Sequence, residues 1–470
     1  MSSTRKLLEE ACDRASRYLE TVQERRVAPS KKAVEALAKL DVPLGKEGIA
    51  AEQVLRDLDE IGSPATMAMA GGRFFGFVNG GALPATVAAG WLATAWNQNT
   101  FFHKPTPATA ELERISLKWL VDILGLPAGT GAGFVTGATV ANMTCLAAAR
   151  HAVLAKAGWD VEAKGLFGAP EIAVVIGEEA HPTVFKSLGV LGLGRDRVIR
   201  VPVDQQGRMR AEALPRIKGP AIVVVQAGNV NSGGFDPAEE IVPRARKAGA
   251  WVHVDGAFGL WALASPRLAH LARGFAQADS WATDAHKWLN VPYDCGLAFC
   301  REPEPLRRAM GIKAAYLPAG PSRDPCDFTP ESSRRARGVE VWAALRHLGR
   351  SGVADMIERC CRHARHFAKG LRAAGYEVLN DVDLNQVVVS FGAPELTTRI
   401  VEGIQDNGTC WCGPTVWQGR TAMRISVSSW ATTDEDVERS LGAMVSVASR
   451  LSAISGFSST TAAPRRTRRA

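Results

Sequence analysis

The stretch DSWATDAHKWLNVPYDCG, residues 279–296, sets Asp284, His286, Lys287 and Trp288 together between apolar runs. A lysine in those surroundings is neither a solvated surface residue nor an ordinary core residue. Its natural use is covalent: a neutral amine attacks a carbonyl carbon, and burial beside His286 promotes loss of its proton. Asp255 ends the run WVHVD, 32 residues before Lys287. His181 follows IAVVIGEEA, and Asn229 and Asn231 follow AIVVVQAG. Any one of these fits a satisfied structural role; a set of polar signals at the ends of apolar runs points to a site. A further signal is TGATVANMTCLAAAR, residues 136–150, where glycine and small residues open an alanine-rich helix. Free backbone N–H groups and the helix dipole make such an opening suited to an anion. No G-K-[ST] is present, which excludes a Walker loop, and G-x-G-x-x-G is absent as well.

The elements that must position these residues are legible between about 130 and 300. IAVVI (172–176), VIRVPV (198–203), AIVVVQA (221–227), WVHVD (251–255) and GLAFC (296–300) are near-continuous apolar runs. Continuous rather than alternating hydrophobicity predicts strands covered on both faces. PAEEIVPRARKAGA and PRLAHLARGFA each open with proline and carry spaced apolar residues, which predicts helices. Strand, helix, strand at this spacing makes a mostly parallel sheet, whose ligands bind beyond the carboxyl ends of its strands. Further on, the pattern predicts a long helix over about 332–374, a strand in NQVVVSF, a helix near 396–407 and a strand in MRISVSS. A last helix is opened by Thr432, with Glu435 three residues on. This is a smaller α+β unit.

An anion cradle, a lysine and an aspartate at one sheet edge are what pyridoxal 5'-phosphate needs. The lysine holds its aldehyde as a Schiff base, and the carboxylate pairs with the pyridinium nitrogen and keeps it protonated.

These residues carry a family resemblance. HVDGAFG followed by DAHKWLN resembles the group II pyridoxal-phosphate-dependent decarboxylases, among them the aromatic-amino-acid, glutamate and tyrosine decarboxylases. The likeness runs from about Arg73 through FFGFVNGG, TPATAELE, FVTGATVAN, EEAHPTVFKSLGVLGLG and GNVNSGGFDP to SSRRARGVEVWAALRHLGRSGV and RISVSSWATTDEDV. It implies an α/β, fold-type I, aminotransferase-like architecture, with helices on both faces of a mostly parallel sheet and a smaller C-terminal α+β domain. Lys287 is then the Schiff-base lysine, Asp255 the pyridinium partner, Ala257 the packing under the ring and His181 the stack on its outer face. Ala138, Thr139 and His286 look like phosphate or cofactor contacts, and so does Asp284, where the family often has asparagine. The Asn229–Asn231 turn matches a threonine-rich cofactor contact, but here the threonines are replaced. Tyr316, 29 residues after Lys287, matches a tyrosine that returns a proton to the substrate after CO₂ departs. Phenylalanine at that place is associated with oxidative aldehyde formation.

The resemblance therefore implies decarboxylation of an L-amino acid. Phe75, Phe77, Trp96, Phe101, Phe102 and His103 fall in segments matching the substrate-pocket region and suggest an aromatic or apolar substrate. Alternatives on the same fold are an aminotransferase and a C–C lyase. Arg424 in MRISVSS can be read as an aminotransferase's carboxylate fork, whereas in the decarboxylase likeness it is more structural. The resemblance also implies a homodimer with shared active sites and an N-terminal clasp.

Bulk properties set bounds. The chain has 470 residues, 46% hydrophobic and 22% charged, with net charge +8. Arg465, Arg466, Arg468 and Arg469 lie in a low-complexity tail, leaving about +4 on the body, too little for a nucleic-acid surface. Nine scattered cysteines lack metal or redox C-x-x-C spacing, and the N-terminus has no secretory apolar core, so a cytoplasmic enzyme with reduced thiols is expected. From Phe74 to Phe102 no ionisable side chain occurs, yet Pro84, Asn79, Asn97, Gln98 and Asn99 interrupt the run, which argues against a membrane span. The expected organisation is a clasp over 1–70, a large cofactor domain over 71–310, a catalytic loop over 311–331, a small domain over 332–455 and a basic tail over 456–470.

Overall fold

The computed structural model describes residues 4–312 and 323–454. Tyr316 and the basic tail lie outside the described residues. The centre is a sheet of seven strands: β1 (Gly131–Val135), β2 (Ala173–Gly177), β3 (Ile199–Val201), β4 (Ala221–Gln226), β5 (Trp251–Asp255), β6 (Ser280–Asp284) and β7 (Gly296–Cys300). Their spatial order is β1-β7-β6-β5-β4-β2-β3. All but β7 run parallel; β7 is antiparallel to both of its neighbours. Strands β1, β4, β5, β6 and β7 are buried at every position, which is why they read as unbroken apolar runs.

Helices cover both faces, and one of the two helices expected between the strands needs correction. PAEEIVPRARKAGA forms the helix Ala238–Lys247 as its pattern predicts. PRLAHLARGFA does not form a helix; it makes the short 3₁₀ turns Ala269–Ala272 and Phe275–Gln277. Gly274 is the physical reason: it breaks the run with φ 82°, and its α-carbon packs where any Cβ would meet the Glu239 nitrogen at 2.4 Å.

A second sheet follows, with β8 (Glu377–Val378), β9 (Gln386–Ser390), β10 (Gly413–Trp417) and β11 (Arg420–Ser426) in the order β10-β11-β9-β8, all antiparallel. The long helix begins at Gly338 rather than near 332, runs to Ala373 and is interrupted at Gly349 (φ 61°). The final helix, Asp434–Ile454, is capped one residue later than expected. Thr433 and Asp436 exchange the reciprocal bonds, at 3.1 Å each way, while the Thr432 hydroxyl donates to the Gly72 carbonyl.

The charge-free stretch folds as a buried loop leading into the helix Pro84–Trp96. Among the described residues no helix is long and apolar enough to cross a membrane.

Inside the molecule one ion pair ties distant parts together. Glu113, on the helix Pro107–Ile123, accepts from Arg334 at 2.7 Å, and both side chains are fully buried. Arg323 adds a second contact at 3.2 Å, and Arg334 also donates to the Phe134 carbonyl of β1 at 3.1 Å. Removing one partner of such a pair leaves a charge without compensation. Glu113→Ala is expected to lower unfolding free energy by about 3–5 kcal/mol in urea titration. Glu304→Ala, which breaks an exposed pair with Arg308, is expected to leave the midpoint unchanged.

Candidate active site

The parallel sheet delivers its polar strand ends to one edge. Asp255 is the last residue of β5 and Asp284 the last of β6. One short turn of helix, Ala285–Trp288, then carries His286 and Lys287. The two strand ends are stitched by backbone: the Gly256 N–H donates to Ala282, and the Asp284 N–H to Ala257, at 2.9 and 3.0 Å. Close packing leaves no room for larger residues here. A Cβ on Gly80 would meet the Lys287 carbonyl oxygen at 1.8 Å, and one on Gly296 would meet the Gly137 α-carbon at 2.4 Å. Those two glycines let the lysine turn and the opening of the alanine-rich helix reach their positions.

Asp284 sits at the centre of the lysine cluster. One carboxylate oxygen accepts from the Ala138 N–H at 2.6 Å, at the first turn of the helix Ala138–Lys156. The other lies 3.0 Å from Lys287 Nζ and 3.7 Å from His286 Nε2. At this helix opening the dipole's positive end and the Ala138 N–H are thus already met by the Asp284 carboxylate. His286 accepts the Cys295 N–H on Nδ1 at 3.0 Å, which puts a neutral ring's proton on Nε2, facing Asp284. Burial pulls its pKa down and the Asp284 charge opposes this.

His181 caps the helix Pro182–Val190 and accepts on Nδ1 from the Thr183 N–H at 3.3 Å. Its pKa is lowered by burial first; Asp255 pulls the other way, while Lys287 and Arg424 add to the lowering. His181 therefore stands among the groups that sequence reading assigned to the site. Asp255 is buried, its carboxyl is pushed up by desolvation and drawn back down by His181 and Lys287. Its Oδ1 has no hydrogen-bond partner among the described residues.

Not every expected residue is placed alike. Asn229 is buried and engaged in its own turn: its oxygen accepts from the Asn231 and Ser232 N–H groups, and its amide donates to Glu179 at 3.2 Å. Phe77 is 58% exposed and stacks on Trp411 at 5.8 Å between ring centres. Phe101 packs on Phe102, and its carbonyl accepts from the Cys326 N–H. The His103 N–H donates to Asp324 at 2.9 Å, so Phe101 and His103 lie against the residues that follow the Tyr316 segment.

Two residues gain meaning only in three dimensions. Glu179 takes hydrogen bonds from Trp417 at 2.8 Å and Gln418 at 3.0 Å, joining the β10–β11 hairpin to the loop that carries His181. Arg424, on β11, has no side-chain hydrogen bond or ion pair among the described residues, and burial pushes its pKa down to about 10. An arginine held only for structure would find a carboxylate or carbonyl. This one has no such partner among the described residues, and its charge acts on His181. The signal for it in sequence was a cation set between the apolar residues Met423 and Ile425.

The site fits pyridoxal 5'-phosphate. A buried carboxylate oxygen without a partner, an amine at the next strand end and a helix N-terminus facing the same edge are what the group requires. Among the described residues no cluster of potential metal ligands occurs.

Comparison with known proteins agrees. Residues 35–393 match the model of the pyridoxal-dependent decarboxylase conserved domain. The chain is 26% identical over 466 residues to tryptophan decarboxylase 1 of Oryza sativa subsp. japonica, covering 90% of each. It is also 26% identical to histidine decarboxylase of Mus musculus, across 92% of this chain and 68% of that one. In structure it is similar to Oryza sativa TDC with PLP and tryptamine, with a TM-score of 0.88 at 23% identity, covering 96% of this chain and 98% of the other. That agreement shows the fold. With the family model spanning most of its length, this chain belongs to the pyridoxal-dependent decarboxylase family.

Proposed function

We propose that the protein removes CO₂ from an aromatic L-amino acid, with Lys287 and Asp255 holding pyridoxal 5'-phosphate and a second copy of the chain completing the assembly. The observation that carries this reading is Asp255: a buried carboxylate at a strand end, unpartnered on Oδ1, beside the strand end that presents Lys287.

When bound, the cofactor draws electrons from the substrate Cα, so that its bond to the carboxylate can break. This chain's residues do the rest. Asp255 holds a proton on the ring nitrogen. The opening of the helix Ala138–Lys156 receives the phosphate through its dipole and the Thr139 end, with His286 beside it, while the Ala138 N–H stays with Asp284. Asp284 holds Lys287 through a 3.0 Å contact until the lysine is needed. His181 contributes a flat ring beside Asp255, its pKa lowered by burial and drawn back up by the Asp255 charge. Arg424 supplies a free guanidinium for the substrate's carboxylate. Such a grip acts on binding rather than on bond breaking, because it stabilises the charged ground state. Tyr316 returns the proton to Cα, the role implied by its matching position.

An aromatic substrate is supported by the aromatic pair Phe101–Phe102 near Asp324 and Cys326, at the base of the Tyr316 segment, and by relatives that act on tryptophan and histidine by name. A cytoplasmic location is supported by nine free cysteines, all but Cys12 buried. The homodimer is supported by apolar surface that this chain leaves uncovered. The helices Thr4–Thr21, Lys31–Ala36 and Ala51–Asp57 bury no residue. On the helix Pro84–Trp96, Trp91, Leu92 and Trp96 are 45%, 55% and 43% exposed. A patch of that kind in one chain marks an interface.

Four outcomes test the proposal. Lys287→Ala is expected to abolish both amine production and the bound-cofactor absorption band; retained turnover would refute it. Tyr316→Phe is expected to cut amine formation about 10²- to 10⁴-fold while CO₂ release persists, read by product mass. Arg424→Ala is expected to raise KM about 10- to 100-fold with a smaller change in kcat. For assembly, light scattering should give twice the chain mass, and Trp91→Asp combined with Leu92→Asp should give a monomer.

A further inference from the structure

Behind Asp255 runs a row of buried polar side chains that the proposed chemistry leaves unused. Trp251, His253 and Asp255 alternate along β5 and so project from one face of the sheet. His253 pairs in register with Ser280 of β6. Trp251 Nε1 donates to Ser280 Oγ at 2.8 Å. Ser280 Oγ and His253 Nδ1 lie 2.9 Å apart, and His253 Nε2 and Asn142 Oδ1 also lie 2.9 Å apart. His253, Ser280 and Asn142 are completely buried, so each proton must have a definite place.

Those places follow from donor and acceptor chemistry. The Asn142 oxygen can only accept, so His253 must carry a proton on Nε2. The imidazole is neutral, because burial pushes its pKa down to about 3. Nδ1 is therefore bare and accepts the Ser280 hydroxyl proton. Ser280 in turn accepts from the indole, which can only donate. Turning the Asn142 amide over would set its NH₂ against the proton on His253 and its carbonyl oxygen towards the Asp255 carboxylate, where two acceptors repel. Every donor then points the same way, and the row ends on Asn142 Nδ2. That amide nitrogen and Asp255 Oδ1 each lack a hydrogen-bond partner among the described residues. The Asn142 side chain nevertheless favours the ionised form of Asp255, so it stands close to the carboxyl without meeting full hydrogen-bond geometry.

We propose that Trp251, Ser280, His253 and Asn142 form a one-way hydrogen-bond chain that turns the Asn142 amide towards Asp255, orienting that carboxylate and keeping it ionised for the ring nitrogen of the cofactor. None of the four touches the reacting atoms; they are positioning residues. The inference rests on the reading of Asp255 as the cofactor's carboxylate partner.

Substitution of His253 separates the two sides of the ring. Glutamine sets an amide nitrogen near the place of Nε2 and keeps a donor to Asn142. Asparagine reaches only the Nδ1 side and leaves Asn142 without one. Cofactor-stripped protein titrated with pyridoxal 5'-phosphate, followed by the bound-cofactor absorption band, is expected to show Kd weakened about 10- to 100-fold in His253→Asn, as for other loosened supporting shells, with a shifted band. His253→Gln is expected to stay near wild type in both. Wild-type affinity and band in His253→Asn, or equal weakening in the two variants, would overturn the proposal. Thermal unfolding checks that each variant folds. Should His253→Asn not fold, Ser280→Ala removes only the hydroxyl that fixes the tautomer. A weaker Kd with a shifted band then supports the chain, and unchanged values overturn it. A wild-type protein that takes up no cofactor would instead defeat the reading of Asp255, and this inference with it.

Discussion

A carboxylate removed from water at the end of a strand is the constraint around which this site is arranged. Asp255 is 5% exposed, and desolvation drives its carboxyl towards the neutral form. It stays useful as an anion only where nearby positive or donating groups offset that cost. His181 and Lys287 do so electrostatically, and Asn142 does so from behind. The parallel run of β4, β5 and β6 makes the arrangement possible, since it brings successive strand ends to the same edge and leaves the carboxylate short of a cation of its own. In the function proposed here, a cationic ring nitrogen would complete it.

The other carboxylate of the site behaves differently because its surroundings do. Asp284 is equally buried, yet it meets a helix N–H, an ammonium and a histidine. Two acids at adjacent strand ends thus divide the work. One is satisfied within the protein and holds the lysine, and one keeps an oxygen without a partner among the described residues, the one proposed to meet the cofactor. The small C-terminal sheet contributes from the far side. Through Glu179 it binds the His181 loop, and through Arg424 it adds a free positive charge.

Much of this was legible in the residues themselves. Lys287, Asp255, His181 and the opening at Ala138 were marked by polar side chains set against unbroken apolar runs, and the runs became strands because burial on both faces leaves no reason to alternate. The failures have physical causes too. PRLAHLARGFA has helical spacing, but Gly274 takes a left-handed conformation and packs too tightly for any side chain. Thr432 has the right chemistry for a cap, but its hydroxyl is claimed by Gly72, so Thr433 caps instead. Asn229 is held by its own turn and by Glu179, partners that local polarity does not record.

By itself, then, the sequence determined the strand-forming runs and the cofactor chemistry, and it singled out the lysine and aspartate proposed to serve it, because each is written in local patterns of polarity and spacing. Only the tertiary structure decided which polar groups are already satisfied. Hydrogen-bond partners here lie far apart along the chain, as His253 with Asn142 or Glu179 with Trp417, and no local pattern records them. Whether Arg424 is a strut or a free cation, and whether Asp255 or Asp284 is the open carboxylate, depends on what folding brings within about 3 Å.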